Sequence, residues 1–204
     1  MTKQTWSSGY KSDASTKMPL KSLDSIDRST EYIRSKNHHL LCSLLEETLT
    51  NISHNREVIK EKSINKRFPL VLTSYSKYNV TRGLHLQTKN PQSKFVTVIK
   101  GRIFDVVVDL RKKSKTYGKY YSSILSEKNS TSIFIPAGFA HGFQSLEKEN
   151  YVVYSCTDYW NKKSEVSIKF NDKDLNIKWP LKKTIISNKD KKGISFVEFK
   201  KKFK

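Results

Sequence analysis

Short β-type segments separated by turn residues fill the sequence from about residue 68 to residue 170, and this pattern most constrains the fold. The segments are rich in Val, Ile, Phe and Tyr, and they cover residues 68–74, 94–100, 103–110, 120–125, 132–135, 150–157 and 167–170. Gly, Pro and Asn stand between them, as at Gly101 and Pro136. Many short strands joined by such turns indicate an antiparallel sandwich or barrel. Strands do not alternate with helical patterns, so a parallel nucleotide-binding sheet is not expected.

One predicted strand shows its orientation in its own sequence. Phe104, Val106, Val108 and Leu110 recur at every second position. Side chains two residues apart share one face of a strand. This alternation predicts that the four residues pack on the same side of the sheet.

The β-rich region, residues 67–181, has flanks of different character. Residues 1–24 are rich in Ser, Thr and Lys and are predicted to be disordered. Residues 25–66 are predicted to be helical, since Leu40, Leu44 and neighbouring leucines recur at helical spacing. Such a helix either packs on its own domain or dimer mate, or binds a partner or a membrane surface. Residues 182–204 are predicted to be an irregular basic tail.

Charge and cysteine content restrict the function classes. Thirty-nine Lys and Arg face nineteen Asp and Glu, a formal net charge of +20. Such a chain attracts polyanions, but most of the basic residues are Lys and no base-stacking motif accompanies them. We therefore favour solvated surface lysines over nucleic-acid binding. Cys42 and Cys156 stand far apart with no CxxC spacing, which disfavours a disulfide framework and fits the reducing cytoplasm.

The sequence offers no membrane segment and few standard catalytic motifs. No apolar run approaches the roughly 18 residues that a spanning helix needs, and the N-terminus has no apolar stretch of the kind found in secretory signals. The P-loop, GxGxxG, GxSxG and HExxH motifs are absent. We expect neither a membrane protein nor a kinase, dinucleotide enzyme, α/β-hydrolase or zinc protease.

Two histidines lie among the predicted strands and carry any histidine chemistry of the β-domain. His141 follows the Pro136-Ala137-Gly138 turn in a PxGxxH pattern, which is the second half of the metal-binding pattern of many cupin barrels. The first half requires HxH, but His85 is followed by Leu86 and Gln87. Two histidines without a carboxylate make a poor divalent-metal site. No bound metal is predicted.

Several short segments of the sequence, taken in order, resemble those of one enzyme family. They are Arg82-Gly83-Leu84-His85-Leu86-Gln87, Gln92-Ser93-Lys94-Phe95-Val96, Gly101-Arg102-Ile103-Phe104-Asp105-Val106-Val107-Val108-Asp109-Leu110-Arg111, Ser114-Lys115-Thr116-Tyr117-Gly118, Ile135-Pro136-Ala137-Gly138-Phe139-Ala140-His141-Gly142-Phe143, Tyr154-Ser155-Cys156-Thr157-Asp158-Tyr159-Trp160, Asn171-Asp172-Lys173-Asp174-Leu175-Asn176-Ile177-Lys178-Trp179-Pro180 and Ser187-Asn188-Lys189-Asp190. Their order and spacing resemble dTDP-4-dehydrorhamnose 3,5-epimerase over residues 74–195. The resemblance implies a cupin-type jelly-roll barrel, a homodimer, and catalysis without metal or cofactor on a nucleotide-linked 4-keto-6-deoxy sugar.

The same resemblance implies roles for individual residues. His85 resembles the base, Asp172 its carboxylate partner, Tyr154 the acid on the far face and Lys94 the cation beside the developing enolate. The remaining matches, at substrate-contact positions, are Arg82, His141 and Glu165. These roles make chemical sense, because imidazole with a pKa near 6.5 is basic at pH 7 and a Tyr hydroxyl is still protonated there.

Six of these seven residues also have a purely structural interpretation. His85 could be a hydrogen-bonded strand histidine, Tyr154 a core residue, and Asp172 a turn residue beside Asn171. Lys94 could be a solvated surface charge, Arg82 could pair with a surface acid, and His141 could cap its own turn.

The N-terminal part of the chain departs from the family pattern. The family's Asp-x-Arg-Gly-x-Phe-x-Glu word, which contacts substrate, has no counterpart in residues 1–80. A non-catalytic sugar-nucleotide-binding or assembly module on the same fold is therefore an alternative to the enzyme. A polyanion-binding protein that uses the basic tail is a third possibility.

Overall fold

The computed structural model describes residues 66–203. The predicted disordered segment 1–24 and residues 25–65 of the predicted helical segment lie outside these described residues. Within them, no helix is long and apolar enough to cross a membrane.

The described chain is built mainly from strands. They are β1 (Leu70–Lys77), β2 (Val80–Gln87), β3 (Lys94–Lys100), β4 (Arg102–Asp109), β5 (Tyr120–Ser126), β6 (Ser132–Ile135), β7 (Phe139–Ser145), β8 (Glu149–Cys156), β9 (Glu165–Ser167) and β10 (Ile185–Ile186). Two short helices follow, α1 (Asn188–Lys191) and α2 (Phe196–Lys202).

The strands form two sheets. One has the order β1-β8-β3-β6, and the other has the order β10-β2-β7-β4-β5, with β9 added beside β2. All pairs are antiparallel except the short β10–β2 pair, which is parallel. This mainly antiparallel two-sheet architecture confirms the predicted fold class.

One apolar cluster fills the space between the sheets. It includes Val96 and Val152 from the four-stranded sheet, and Ile103, Val107 and Phe143 from the larger one. Buried aliphatic and aromatic side chains of this size each contribute about 1.5–3 kcal/mol relative to exposure. This cluster holds the two sheets together, and thus fixes the spacing of the polar side chains that also point inward.

A second cluster covers the opposite face of the larger sheet. The predicted alternation on β4 is observed, because Val106, Val108 and Leu110 are buried in this cluster and Phe104 packs against it. The residues that cover them come from the C-terminal part of the chain and include Phe196 of α2.

The predicted boundary at residue 181 therefore needs correction. Residues 182–203 are not an irregular tail, since they form β10, α1 and α2 and bury Phe196 and Phe199. A capping box formed by Ser195 and Glu198 begins α2. The prediction gave weight to the many lysines of this segment and overlooked Phe196 and Phe199. These two residues stand at helical spacing and pack the segment against the rest of the domain.

Candidate active site

A cavity of about 580 Å³ is lined by side chains of both sheets. Its walls include six residues singled out in the sequence: Arg82, His85, Lys94, His141, Tyr154 and Glu165. Asp190 and Lys189 of α1 also line it, as does Trp160 in the loop after β8. Asp172 is not among the lining residues. The structure thus brings together six of the seven predicted site residues.

The carboxylate partner of His85 is Asp190. His85 Nε2 lies 2.5 Å from Asp190 Oδ1, and the backbone N–H of Gly83 donates to Asp190 Oδ2 at 3.2 Å. Burial raises the pKa of Asp190, but the hydrogen bond and positive charge of His85 outweigh it and hold that pKa below its ordinary value. Ser187 caps α1 by accepting a bond from the Asp190 N–H, which fixes the backbone that carries the carboxylate.

Asp172 has a structural place instead, so its predicted pairing with His85 is wrong. Its Oδ1 accepts bonds from the N–H groups of Asp174 and Leu175. Its Oδ2 accepts one from the Phe196 N–H at 2.9 Å. Asp172 therefore sets a turn and ties that turn to the start of α2. Asp190 lies in the Ser187-Asn188-Lys189-Asp190 segment. The neighbouring residues of that segment do not distinguish a carboxylate of a functional site from one on the surface.

A local irregularity of β2 turns Arg82 and His85 toward the same cavity. The pairing of β2 with β7 shifts register between these two residues. Gly83 lies inside the shift with φ of +97°, and a Cβ there would come within 2.5 Å of the His141 carbonyl oxygen. Only glycine accommodates both this conformation and this approach. Regular alternation would have placed Arg82 and His85 on opposite faces, because they stand three positions apart.

A second histidine–aspartate pair lies behind the first. His141 Nε2 is 2.7 Å from Asp105 Oδ2, and both side chains are almost fully buried. The other carboxylate oxygen of Asp105 is buried without a hydrogen-bond partner among the described residues. The sequence assigned Asp105 no role, because a carboxylate that alternates with apolar residues on a strand is typical of a solvent-facing position.

Tyr154 and Lys94 come from the four-stranded sheet and face the histidines. Lys94 pairs with Cys156, and Val96 with Tyr154, so these four side chains share a face. Burial raises the pKa of Tyr154 well above its ordinary value, which keeps its hydroxyl protonated. Burial also lowers the pKa of Lys94, because the cavity wall disfavours the charged form.

Glu165 and Lys189 form an ion pair at the cavity. Lys189 Nζ lies 2.9 Å from Glu165 Oε2. Burial raises the pKa of Glu165, yet the positive charge of His85 and the bond from Lys189 outweigh it, and the net shift is downward. Glu165 therefore places a negative charge near His85 at neutral pH.

β1 holds Arg82 through two hydrogen bonds. Its Nε donates to Ser76 Oγ, and one terminal nitrogen donates to the Tyr75 carbonyl, both at 2.8 Å. These bonds hold the guanidinium at the cavity wall. Among residues 66–203, no group of three or more His, Cys, Asp or Glu side chains is arranged to hold a metal ion.

Comparison with known proteins identifies relatives along most of the chain. The family model described as dTDP-4-dehydrorhamnose 3,5-epimerase matches residues 48–198. The dTDP-4-dehydrorhamnose 3,5-epimerase of Methanothermobacter thermautotrophicus is 44% identical over 140 residues, covering 67% of this chain and 76% of the relative. The enzyme of the same name from Shigella flexneri is 39% identical over 149 residues, covering 72% and 82% respectively.

Solved structures show the same similarity in three dimensions. The dTDP-4-dehydrorhamnose 3,5-epimerase from Elizabethkingia anophelis is 43% identical with a TM-score of 0.63, covering 65% of this chain and 74% of that one. The dTDP-6-deoxy-D-glucose-3,5-epimerase from Legionella pneumophila, solved in complex with dTDP-4-keto-L-rhamnose, is 40% identical with a TM-score of 0.66. It covers 69% of this chain and 75% of the Legionella chain.

Proposed function

This chain belongs to the dTDP-4-dehydrorhamnose 3,5-epimerase family, and we propose on that premise that it epimerises a dTDP-linked 4-keto-6-deoxy sugar in dTDP-rhamnose-type biosynthesis. The enzyme is an isomerase. The 4-keto group of such a sugar acidifies the hydrogens on C3 and C5. Removal of one of these protons gives an enolate, and a proton returned to the opposite face inverts the carbon.

His85 serves as the base. Its Nε2 is engaged by Asp190, which leaves Nδ1 as the nitrogen that takes the substrate proton. The Asp190 carboxylate fixes the tautomer of the ring and stabilises the imidazolium that forms. A positioned base of this kind contributes on the order of 10²–10⁴ in rate.

Lys94 and Tyr154, on the four-stranded sheet, stabilise and protonate the enolate. The Lys94 ammonium stabilises the negative charge that develops on the C4 oxygen, an interaction that strengthens in the transition state. Tyr154 donates the proton that completes inversion, and its raised pKa keeps that proton available across the physiological range.

The observation that carries this proposal is the placement of His85 and Tyr154 on different sheets around one cavity. Inversion requires a base on one face of the sugar and an acid on the other. A single group that removed and returned its own proton would retain configuration. Two sheets that enclose a cavity supply the two faces directly.

Arg82, His141 and Glu165 serve as substrate contacts. All three line the cavity, and each is held by a neighbour: Arg82 by β1, His141 by Asp105 and Glu165 by Lys189. Arg82 and Lys189 supply positive charge for the diphosphate of the nucleotide sugar.

Proton NMR of dTDP-4-keto-6-deoxyglucose in D₂O with the purified protein tests the proposal. We expect loss of the C3 signal, the C5 signal or both, with new couplings of the inverted sugar. His85→Ala should abolish this loss while the fold persists. Substrate that binds without any loss of C–H signal would instead identify a non-catalytic binding module.

The functional unit is proposed to be a homodimer in the cytoplasm. Among the described strands β1 lies at the edge of its sheet, and Val71 and Leu72 on it are 38% and 42% exposed in the described part of the chain. Unpaired edges with exposed apolar residues are sites of association. Size-exclusion chromatography with light scattering should give twice the chain mass, and Val71→Lys, on the face of β1 away from the cavity, should shift it toward the monomer. Isolated cysteines favour a reducing compartment.

A further inference from the structure

Gln87 stands where a metal-binding cupin would carry its second histidine. Its carboxamide instead forms hydrogen bonds with backbone groups, two of them in the loop after β8. Its Oε1 accepts a 2.8 Å bond from the Asn161 N–H. Its Nε2 donates to the carbonyl oxygens of Asn90 at 2.7 Å and Tyr159 at 3.3 Å. The side chain is 7% exposed, so water is no substitute for these partners.

Only a carboxamide can bond all three of these backbone groups at once. One partner is a donor and two are acceptors, so the side chain must present an acceptor and a two-hydrogen donor about 2 Å apart. A carboxylate at this position would face two carbonyl oxygens without a hydrogen to share. A thioether would leave one N–H and two C=O groups unbonded.

The loop held in this way, residues 158–161, borders the cavity. It carries Trp160, which lines the cavity although 49% of the residue is exposed. Gln92 bonds the same loop once more, from its Nε2 to the Asp158 carbonyl at 2.6 Å. Beyond the loop, β9 presents Glu165 to the cavity directly opposite Gln87 in the strand register.

We propose that Gln87 is a positioning residue that holds loop 158–161, and with it Trp160, in place at the mouth of the substrate cavity. Gln87 touches no reacting atom in this role. Gln87 itself borders the cavity, but its carboxamide is bonded to the loop, so it affects substrate affinity and leaves the proton transfers at His85 and Tyr154 unchanged. The effect on affinity rests on the proposed function, whereas the effect on the loop does not.

Hydrogen–deuterium exchange tests the effect on the loop without any substrate. The Asn161 amide is protected by its bond to Gln87, so Gln87→Met should speed exchange in the peptide spanning residues 158–164 by about tenfold or more. Unchanged exchange there would overturn the proposal that Gln87 holds the loop, whatever the activity of the protein.

Kinetics of Gln87→Glu test the effect on the site. We expect KM for the dTDP-linked 4-keto sugar to rise about tenfold while kcat stays within about twofold. Below the pKa of the introduced carboxyl, its protonated form regains one donor and one acceptor. The ratio of variant to wild-type KM should therefore fall as the pH is lowered. Gln87→Met carries no charge and should raise KM at every pH, which separates loss of the hydrogen bonds to the loop from repulsion between a new carboxylate and the phosphates of the substrate.

Asn150→Asp is the matched control. Asn150 is fully buried, accepts from the Arg102 N–H and donates to the carbonyls of Ser76 and Glu147, but it does not line the cavity. It should lower thermal stability without changing KM or exchange in residues 158–164. Equal effects of Asn150→Asp and Gln87→Glu on KM would overturn the proposal. If neither the wild type nor the variants show turnover, the exchange experiment still decides whether Gln87 holds the loop.

Discussion

His85 and Asp190 are 105 positions apart in the sequence, and their Nε2 and Oδ1 atoms are 2.5 Å apart in the structure. Two elements bring them together. β10 pairs with the start of β2, with Ile185 opposite Val80, and α1 follows directly with Asp190. The C-terminal segment thus completes the candidate catalytic site, and we expect activity to require its packing on the barrel.

Asp190→Asn should lower kcat about 10²- to 10⁴-fold, because the amide cannot stabilise the imidazolium of His85 as a carboxylate does. Asp172→Asn should leave kcat nearly unchanged. It should cost about 1–3 kcal/mol of stability, since an amide cannot accept the three backbone bonds that Asp172 accepts. Steady-state kinetics and urea unfolding of both variants measure this. The reverse pattern, with kcat lost in a folded Asp172→Asn protein, would contradict the assignment.

Stability should depend on pH through Asp190. Its pKa is held below the ordinary value in the folded protein. The stabilisation is therefore complete above the unfolded pKa of about 3.9 and is lost as the pH falls through the lower folded pKa. Urea unfolding between pH 7 and pH 3 should show this loss. The curve of Asp190→Asn should be flatter over the acidic part, and an identical slope in both proteins would refute the linkage.

Lys94→Met should stabilise the protein and impair the reaction. Burial lowers the pKa of Lys94, which means that the folded state disfavours the ammonium. Among the described residues Lys94 forms no ion pair, and the attraction of Cys156, Glu165 and Asp105 does not outweigh the cost of burial. An apolar side chain of similar length removes that cost, so Tm should rise by a few degrees, about 2–8 °C.

The same variant should lose about 10²- to 10³-fold in kcat, the usual effect of removing one group that stabilises an oxyanion. Differential scanning calorimetry and the NMR assay measure the two effects. A fall in Tm would show that Lys94 supports the fold instead of opposing it.

Residues on regular strands were predictable from the sequence. The alternation of Phe104, Val106 and Val108 indicates their shared face, and the structure places that face in one cluster. The opposite face of β4 was not predictable, because Asp105 has the polarity of a solvent-facing residue. Its burial depends on His141, 36 positions away. Pairwise contacts at that separation leave no periodic signal.

The error over Asp172 has the same origin. Asp172 and Asp190 both precede short irregular segments, and both are buried carboxylates that accept backbone bonds. Which of them reaches His85 depends on the packing of β10 and α1 against β2. The sequence predicted a basic tail there, although the Ser187-Asn188-Lys189-Asp190 segment already resembled the family. Motifs therefore predicted most of the site, but not the contacts that tertiary packing decides.

Tyr154→Phe should separate proton removal from inversion. His85 still removes a proton in this variant, and it exchanges that proton with solvent before returning it to the same face. Deuterium should therefore enter C3 or C5 with retention of configuration at a rate within about tenfold of the wild type. Inversion should fall about 10²- to 10⁴-fold because the opposite face has lost its acid. Burial raises the Tyr154 pKa beyond that of free Tyr and lowers the Lys94 pKa, so the alkaline loss of inversion in the wild type should follow deprotonation of Lys94 and not of Tyr154. NMR in D₂O reads both processes in one sample, and equal losses of exchange and inversion would assign Tyr154 to binding rather than to protonation.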